Sequence, residues 1–75
     1  MKLTLIQRDQ CRLCDLAWEA LAAAGVADFD PLWIDDDFGL QARYGERIPV
    51  LRREDTGAEM DWPFDASALL EFLAA

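Results

Sequence analysis

A stripe of apolar residues at helical spacing is the feature that most limits the folds open to this chain. It falls at i, i+3, i+4, i+7, i+8 and i+11: Leu13, Leu16, Ala17, Ala20, Leu21 and Ala24. Alanine favours helix, and Gly25 is the kind of residue at which helices commonly end. In front of the stripe, Lys2–Gln7 alternates, with Leu3 and Leu5 on one face, which predicts a strand. The chain therefore opens with a strand and an amphipathic helix.

The middle of the chain predicts a second strand and a short helix. Phe29–Asp35 carries the apolar bulk of a strand. Pro31 has no N–H to donate to a sheet, which indicates the start of that strand or a sheet edge. Asp36 or Asp37 then caps a helix that runs to about Tyr44. A strand, a helix and a strand in this order imply a parallel pair.

The last third predicts a hairpin and a closing helix. Ile48–Leu51 opens a third strand, Glu54–Gly57 has the composition of a turn, and Ala58–Trp62 forms the returning strand. Asp65 is a good N-cap for a helix with an apolar face of Ala68, Leu69, Phe72 and Leu73. The element order is β-α-β-α-β-β-α. We predict one three-layer α/β domain over residues 1–75.

The predicted element order gives expected positions for the charged residues of the hairpin and for the aromatic residues. Across the hairpin, acids are expected to face bases: Glu59 and Asp61 opposite Arg52 or Arg53. The aromatic residues, Trp18, Trp33 and Trp62 among them, are expected in the core rather than around a ligand, and Trp62 and Phe64, near the predicted groove, are the exceptions to watch. Arg43 and Arg47 are expected to pair with nearby acids rather than to bind an anionic ligand.

Charge and hydropathy exclude several classes of partner. Fifteen acidic against seven basic residues give a formal net charge of -8, which argues against nucleic acid and anionic membranes. The longest stretch without a charge, Ala20–Ala27, is too short to cross a bilayer. Arg8 and Asp9 interrupt the apolar N-terminus before it reaches the length of a signal peptide. We expect a cytoplasmic protein.

The chain has two cysteines and no histidine. Without histidine, Ser-His-Asp and Cys-His designs are excluded, and two cysteines are too few for an ordinary zinc site within one chain. The spacing is C-x-x-C, at Cys11 and Cys14. A disulfide between them closes a very short loop, so it contributes little stability by chain entropy.

The position of this pair is informative. Cys11 lies at the junction of the first strand and the first helix, and Cys14 lies in the first helical turn. Unpaired N–H groups and the positive end of the helix dipole stabilise a thiolate there. Such placements lower a cysteine pKa from ~8.5 to roughly 3.5–7.5. We assign Cys11 as attacking nucleophile and Cys14, at the edge of the buried stripe, as resolving thiol.

Nearby charges act in both directions. Arg8 and Arg12 flank Cys11 and favour its thiolate, whereas Asp9 and Asp15 oppose it. The residues alone therefore leave three roles open for the pair: thiol–disulfide exchange, inert thiols, or half of a metal site completed by a second chain.

The chain resembles a glutaredoxin-like protein of the thioredoxin superfamily, and more narrowly the small bacterial glutaredoxin-like family with a C-x-L-C-D motif. Four segments carry the resemblance: Cys11-Arg12-Leu13-Cys14-Asp15, Trp33-Ile34-Asp35, Ile48-Pro49-Val50 and Trp62-Pro63-Phe64-Asp65. It implies a thioredoxin-like fold, with a four-stranded mixed sheet flanked by helices, and a thiol-disulfide oxidoreductase. Typical glutaredoxins have C-P-Y-C and a Gly-Gly pair before the last helix, and this chain has neither.

The resemblance also implies a substrate site. The Ile48-Pro49 bond is expected to be cis and to face the dithiol, leaving the Ile48 backbone free to pair with a peptide or glutathione. Arg8 is expected to meet a glutathione carboxylate, and the helix start at Phe64 and Asp65 to receive an anion. The candidate substrate-binding residues are Arg8, Arg12, Ile48, Pro49, Phe64 and Asp65.

The resulting hypothesis is a monomer that exchanges disulfides with a protein or with glutathione as co-substrate, with no resident cofactor or metal. Two alternatives remain. One is a non-catalytic binding module that keeps the fold. The other is a dimer that shares a metal or iron–sulfur centre through two C-x-x-C pairs.

Overall fold

The computed structural model describes residues 1–75 and has the element order that the sequence predicts. Its strands are β1 (Leu3–Gln7), β2 (Asp30–Trp33), β3 (Val50–Arg53) and β4 (Glu59–Asp61). Its helices are α1 (Arg12–Ala23), α2 (Phe38–Tyr44) and α3 (Ala66–Ala74). No helix has the length and apolar character needed to span a membrane.

The strands form one mixed sheet in the order β2-β1-β3-β4. β1 is parallel to β2 and antiparallel to β3, and β4 is antiparallel to β3. β2 is therefore an edge strand and Pro31 is its second residue, in agreement with the strand start or sheet edge that Pro31 predicts. The four-stranded mixed sheet with helices on both faces is the predicted three-layer architecture.

β1 is buried on both faces, and its five residues alternate between two cores. Leu5 lies opposite Leu51 and joins the core under α1 and α3. Ile6 lies opposite Val50 and joins the core on the α2 side. Both helical layers thus depend on the strand that leads into the cysteine segment.

The helix ends lie where local sequence signals place them. The Asp37 carboxylate accepts the Leu40 N–H at 3.0 Å, and the Asp65 carboxylate accepts the Ala68 N–H at 2.8 Å. These two predicted caps satisfy N–H groups that the helices leave unpaired. After α1, Gly25 takes φ +77°, a left-handed conformation that glycine adopts without steric cost.

Glu59 lies opposite Arg52 across the hairpin, as predicted, whereas Asp61 lies opposite Val50 and neither acid forms an ion pair with a β3 arginine. Arg47, which precedes β3, pairs instead with the acids of β4, at 2.9 Å from Glu59 and 2.7 Å from Asp61. The bases of β3 bind acids two residues further along: Arg52 with Glu54 and Arg53 with Asp55. The physical reason is reach, because acids at the start of the turn are close to the β3 arginines and leave the β4 acids to Arg47.

Tyr44 is fully buried and connects α2 to this network. Its hydroxyl donates to Glu59 at 2.5 Å and accepts from Arg52 at 3.2 Å. The guanidinium groups of Arg43 and Arg47 lie 5.2 and 5.1 Å from its ring centroid. Arg43 therefore contacts an aromatic face, whereas the ion pairing expected of Arg47 is confirmed.

Arg53 fastens the end of α3 to β3. Its side chain is buried and donates to the carbonyls of Phe72 at 3.0 Å and Ala75 at 2.6 Å. It also forms two hydrogen bonds to the Asp55 carboxylate. A cation at this position complements the negative end of the helix dipole.

Candidate active site

Cys11 is the N-cap of α1, at the predicted junction with the strand before it. Its backbone is extended, with φ -118° and ψ 107°, and its Sγ accepts the Cys14 N–H at 3.1 Å. Its carbonyl accepts the Asp15 N–H at 3.1 Å. The sulfur therefore occupies the position in which a capping oxygen normally receives a free helical N–H.

Cys11 and Cys14 form a disulfide, with their Cα atoms 5.2 Å apart. Cys14 is only 2% exposed, whereas Cys11 is half-buried. An approaching molecule meets Cys11 first, and Cys14 lies behind it against the core. The two sulfurs of the disulfide are therefore unequally accessible.

The turn before Cys11 is held by residues that are distant in sequence. The Asp9 N–H donates to both carboxylate oxygens of Asp35, at 3.1 and 3.2 Å. The Gln41 amide donates to the carbonyls of Ile34 at 3.0 Å and Asp35 at 2.6 Å. Gln10, next to Cys11, has φ +50°, which is uncommon for a residue with a side chain. The loop after β2 thus fixes where the cysteine segment begins.

A cavity of about 410 Å³ opens beside Cys11, and we call it the cysteine cavity. It is lined by Gln7, Arg8, Asp9, Gln10, Cys11, Asp15, Trp18 and Trp33. The Trp18 indole N–H donates to the Gln7 side-chain oxygen at 2.9 Å, and the Trp18 ring packs edge-on against Phe29 at 4.8 Å. Trp18 is therefore held in place although it is 44% exposed.

The expectation that tryptophans lie in the core is wrong for Trp18 and Trp33. Trp18 is 44% and Trp33 is 50% exposed, whereas Trp62 packs against the core. Trp33 is exposed because it ends an edge strand, and Trp18 because it lies one position off the buried stripe of α1. Together with Gln7 and Gln10, these two are the cavity residues that sequence reasoning missed. The spacing of Trp18 from Cys14, one helical turn, was the available signal.

Arg8 is the one candidate substrate-binding residue that lines the cysteine cavity. Its guanidinium donates to the Gly45 carbonyl at 2.6 Å. Arg12 is exposed in the first turn of α1. Phe64 is buried in the core beside Trp62, with ring centroids 5.0 Å apart, and Asp65 caps α3.

The Ile48-Pro49 bond is cis, as the resemblance implies, and so is the Trp62-Pro63 bond, which the sequence did not predict. The Pro49 carbonyl accepts the Trp62 N–H at 3.0 Å, which brings the two segments together. The Ile48 N–H donates to the Tyr44 carbonyl at 3.1 Å. The expectation that the Ile48 backbone is free is therefore wrong for its N–H, because α2 ends beside it, whereas its carbonyl accepts no hydrogen bond within the protein.

Arg47, just before the Ile48-Pro49 bond, forms ion pairs with the two acids of β4. Its hydrogen bonds hold the pKa of Asp61 below its usual range. The pKa of Glu59 is also lowered, first by the Tyr44 hydroxyl and then by Arg47. The pKa of Arg47 itself is raised by Asp61 and Glu59. The structure contains no cluster of three or more Cys, Asp or Glu side chains placed to hold a metal ion.

A family model described as a glutaredoxin-like domain (DUF836) matches residues 2–74. The crystal structure of the X. campestris protein XcR50 is 55% identical, with a TM-score of 0.92 and 97% of each chain covered. Its solution structure, also 55% identical, has a TM-score of 0.91 over 100% of this chain and 96% of that one.

The solution structure of Ne2328 from Nitrosomonas europaea is 23% identical, with a TM-score of 0.78 over 95% of this chain and 88% of that one, and shows the fold alone. No curated protein is significantly similar to the chain. The fold is thioredoxin-like, as predicted from the resemblance.

Proposed function

Because the chain belongs to the glutaredoxin-like domain family (DUF836), we propose that it is a thiol-disulfide oxidoreductase acting through Cys11 and Cys14 on the disulfide of a protein or of glutathione. One observation carries the proposal: the Cys11 sulfur caps α1 and accepts the Cys14 N–H, while Cys14 itself is buried. A C-x-x-C pair at a helix start after a strand is the context in which such a pair is redox-active.

The helix start supplies the reactivity of Cys11. In the reduced protein a Cys11 thiolate would keep the Cys14 N–H as a hydrogen-bond donor and would lie at the positive end of a twelve-residue helix. Both interactions favour the thiolate over the thiol, and the thiolate is the nucleophile. The buried Cys14 is the less accessible of the two.

The chemistry proceeds in two balanced steps. The Cys11 thiolate attacks one sulfur of the substrate disulfide, which forms a mixed disulfide and releases the other substrate sulfur as a thiolate that takes up a proton. Cys14 then loses its proton and attacks the Cys11 sulfur, which forms the Cys11–Cys14 disulfide and releases the second substrate thiol. The substrate gains two electrons, and the protein dithiol loses them.

The proposed reaction needs one copy of the chain and a thiol that reduces the Cys11–Cys14 disulfide again. Both cysteines belong to the same helix start, so a monomer is sufficient. The unpaired Ile48 carbonyl can accept an N–H from a bound peptide or glutathione. We place the protein in the cytoplasm, where thiol reductants return such a pair to the dithiol.

The first experiment is the rate of alkylation of each thiol against pH, with the reduced, metal-stripped protein and mass spectrometry to separate Cys11 from Cys14. We expect Cys11 to react with an inflection well below the free-thiol value of ~8.5, and Cys14 to react slowly throughout. Two slow thiols with ordinary inflections would contradict the proposal and leave a binding module with this fold.

Single replacements then separate the two roles. We expect Cys11→Ser to abolish exchange and Cys14→Ser to accumulate a mixed disulfide that mass spectrometry detects. Each variant lacks one sulfur and therefore cannot form the disulfide. A difference between the two variants thus reports the separate roles of the cysteines and not the loss of the disulfide. Full exchange by Cys11→Ser would refute the assignment of the nucleophile.

A further inference from the structure

We infer that the preferred substrate is a protein segment with a lysine or arginine beside its disulfide-bonded cysteine, rather than glutathione. The inference rests on the proposed function and concerns the surface around Cys11. Two observations support this choice: the charge lining the site and the exposed surface of two tryptophans. A third, an unpaired amide of a residue that lines the cavity, indicates that the cavity takes an occupant.

The first observation is the charge. A second cavity, of about 380 Å³, adjoins the cysteine cavity and shares Asp9 and Trp33 with it. The two together are lined by one arginine and four aspartates, a formal net charge of -3: Arg8, Asp9, Asp15, Asp35 and Asp36. This local charge has the same sign as the net charge of the chain, -8. Such a surface attracts cations and repels glutathione, which carries a net negative charge at neutral pH.

The cations near the site change this balance little. Arg8 is directed to the Gly45 carbonyl, which fixes its guanidinium on the loop after α2. Arg12 is exposed in the first turn and lines neither cavity. The aspartates at the cavities lack any ion-pair partner, because the ion pairs of the chain lie elsewhere.

The second observation is aromatic surface. Trp33 is shared by both cavities, and Trp18 lines the one next to Cys11. Both are about half exposed, and Trp18 is fixed by Gln7 and Phe29. A lysine or arginine side chain can stack on such a face while its charge approaches Asp36.

The third observation is Gln7, which lines the cysteine cavity and is only 1% exposed. Its oxygen accepts from Trp18, but its Nε2 has no acceptor within the protein. A buried amide donor without a partner is unfavourable. A carbonyl of a bound substrate, whether of a protein segment or of glutathione, is an acceptor of the required kind, so this amide indicates an occupant of the cavity without distinguishing between the two.

The test compares two disulfide-linked peptide dimers that differ only in a lysine or a glutamate beside the cysteine, together with oxidised glutathione. Reduced protein is mixed with each, and the second-order rate constant of its oxidation is measured. Each rate constant is divided by that for reduction of the same disulfide by dithiothreitol, whose only charge is that of its reacting thiolate, which corrects for the intrinsic reactivity of the peptide disulfide toward a thiolate.

At low ionic strength we expect the corrected rate constant for the lysine peptide to exceed that for the glutamate peptide about tenfold. Added salt should reduce this ratio because it screens exposed charges. Glutathione disulfide should react at least as slowly as the glutamate peptide. Equal corrected rates, or a faster glutamate peptide or glutathione, would overturn the inference and leave the proposed function in place.

Paired charge variants locate the effect. Asp15→Asn with Asp36→Asn should lower the lysine-to-glutamate ratio about threefold, because two site charges are removed. Asp28→Asn with Asp30→Asn removes the same charge at a cavity formed with Met1, Lys2 and Leu3, at the other end of β1, and should leave the ratio unchanged. The ratio cancels any change in thiol reactivity. Equal effects of the two pairs would overturn the inference, since the chain's overall charge would then be the cause.

A second pair of variants tests whether the lysine side chain stacks on Trp33. Trp33→Ala should slow the lysine peptide and leave the glutamate peptide unchanged, whereas Phe38→Ala, a change at a residue 87% exposed outside both cavities, should affect neither. A Trp33 variant that slows neither peptide would count against the stacking contact. If no disulfide oxidises the wild-type dithiol, the proposed function fails, and the inference fails with it.

Discussion

Arg47 binds both carboxylate oxygens of Asp61, with Nε 2.9 Å from Oδ2 and Nη2 2.7 Å from Oδ1. This paired geometry joins the segment before Pro49 to the end of β4, just before Trp62. Arginine suits such a contact because its planar fork matches a carboxylate. Four predictions follow from this and other contacts of the fold.

Arg47→Met should lower the free energy of unfolding by about 1 kcal/mol, near the upper end for a partly exposed ion pair. Urea unfolding at low ionic strength measures it. Arg43→Met removes a cation from the same Tyr44 ring without breaking an ion pair and should have a smaller effect. An equal loss in both variants would show that the aromatic contact, and not the carboxylate pairing, matters.

Stability should fall at acid pH through Glu59 and Asp61. Their folded-state pKa values are lowered, so their contribution is present above their ordinary values of about 4 and is lost as the pH falls through the lower folded-state values. Urea midpoints from about pH 7 to about pH 3 measure this loss. Glu59→Gln keeps an acceptor for Tyr44 and should reduce the acid dependence. Glu46→Gln, at an exposed residue without an ion pair, should retain it.

Arg53→Met should loosen the last turn of α3. The carbonyls of Phe72 and Ala75 lose their donor, and the negative end of the helix loses its cation. We expect amide hydrogen exchange in that turn to accelerate about tenfold. Arg52→Met changes the neighbouring arginine, which contacts Glu54 and Tyr44 instead, and should leave α3 protected. Unchanged exchange in the Arg53 variant would contradict this role.

Asp35→Ala should free the turn that leads to Cys11. Both Asp35 oxygens accept the Asp9 N–H, so their removal should accelerate exchange of that amide about tenfold. Asp35→Asn keeps one carbonyl oxygen and should preserve much of the protection. The two variants remove the same charge, so a difference between them isolates the hydrogen bond. If they behave alike, charge and not the hydrogen bond holds the turn.

Features set by neighbouring residues were predictable from the sequence. The caps at Asp37 and Asp65, the end of α1 at Gly25 and the position of Cys11 all depend on short stretches of chain. A single residue, Pro31, limited β2 to a sheet edge or a strand beginning at that point, because proline lacks an N–H.

Features set by distant residues were not predictable. The partner of Asp61 depends on where Arg47 lies after the chain has turned back past α2, a distance that sequence spacing does not give. Tryptophan is a residue type that usually lies in the core. Trp33 is exposed because its strand is at the sheet edge, and Trp18 because it lies beside the buried face of α1. The contact between Asp9 and Asp35 requires the β1–β2 pairing to exist first.

The two-sided burial of β1 limits how the length of this chain can vary during evolution. Inserting or deleting one residue between Leu3 and Gln7 would exchange Leu5 and Ile6 between the two cores and shift the start of the cysteine segment. A change in length at the exposed turn of Thr56 and Gly57 would neither move core residues nor shift the cysteine segment. Relatives should therefore differ in length at the hairpin tip and keep the length of β1.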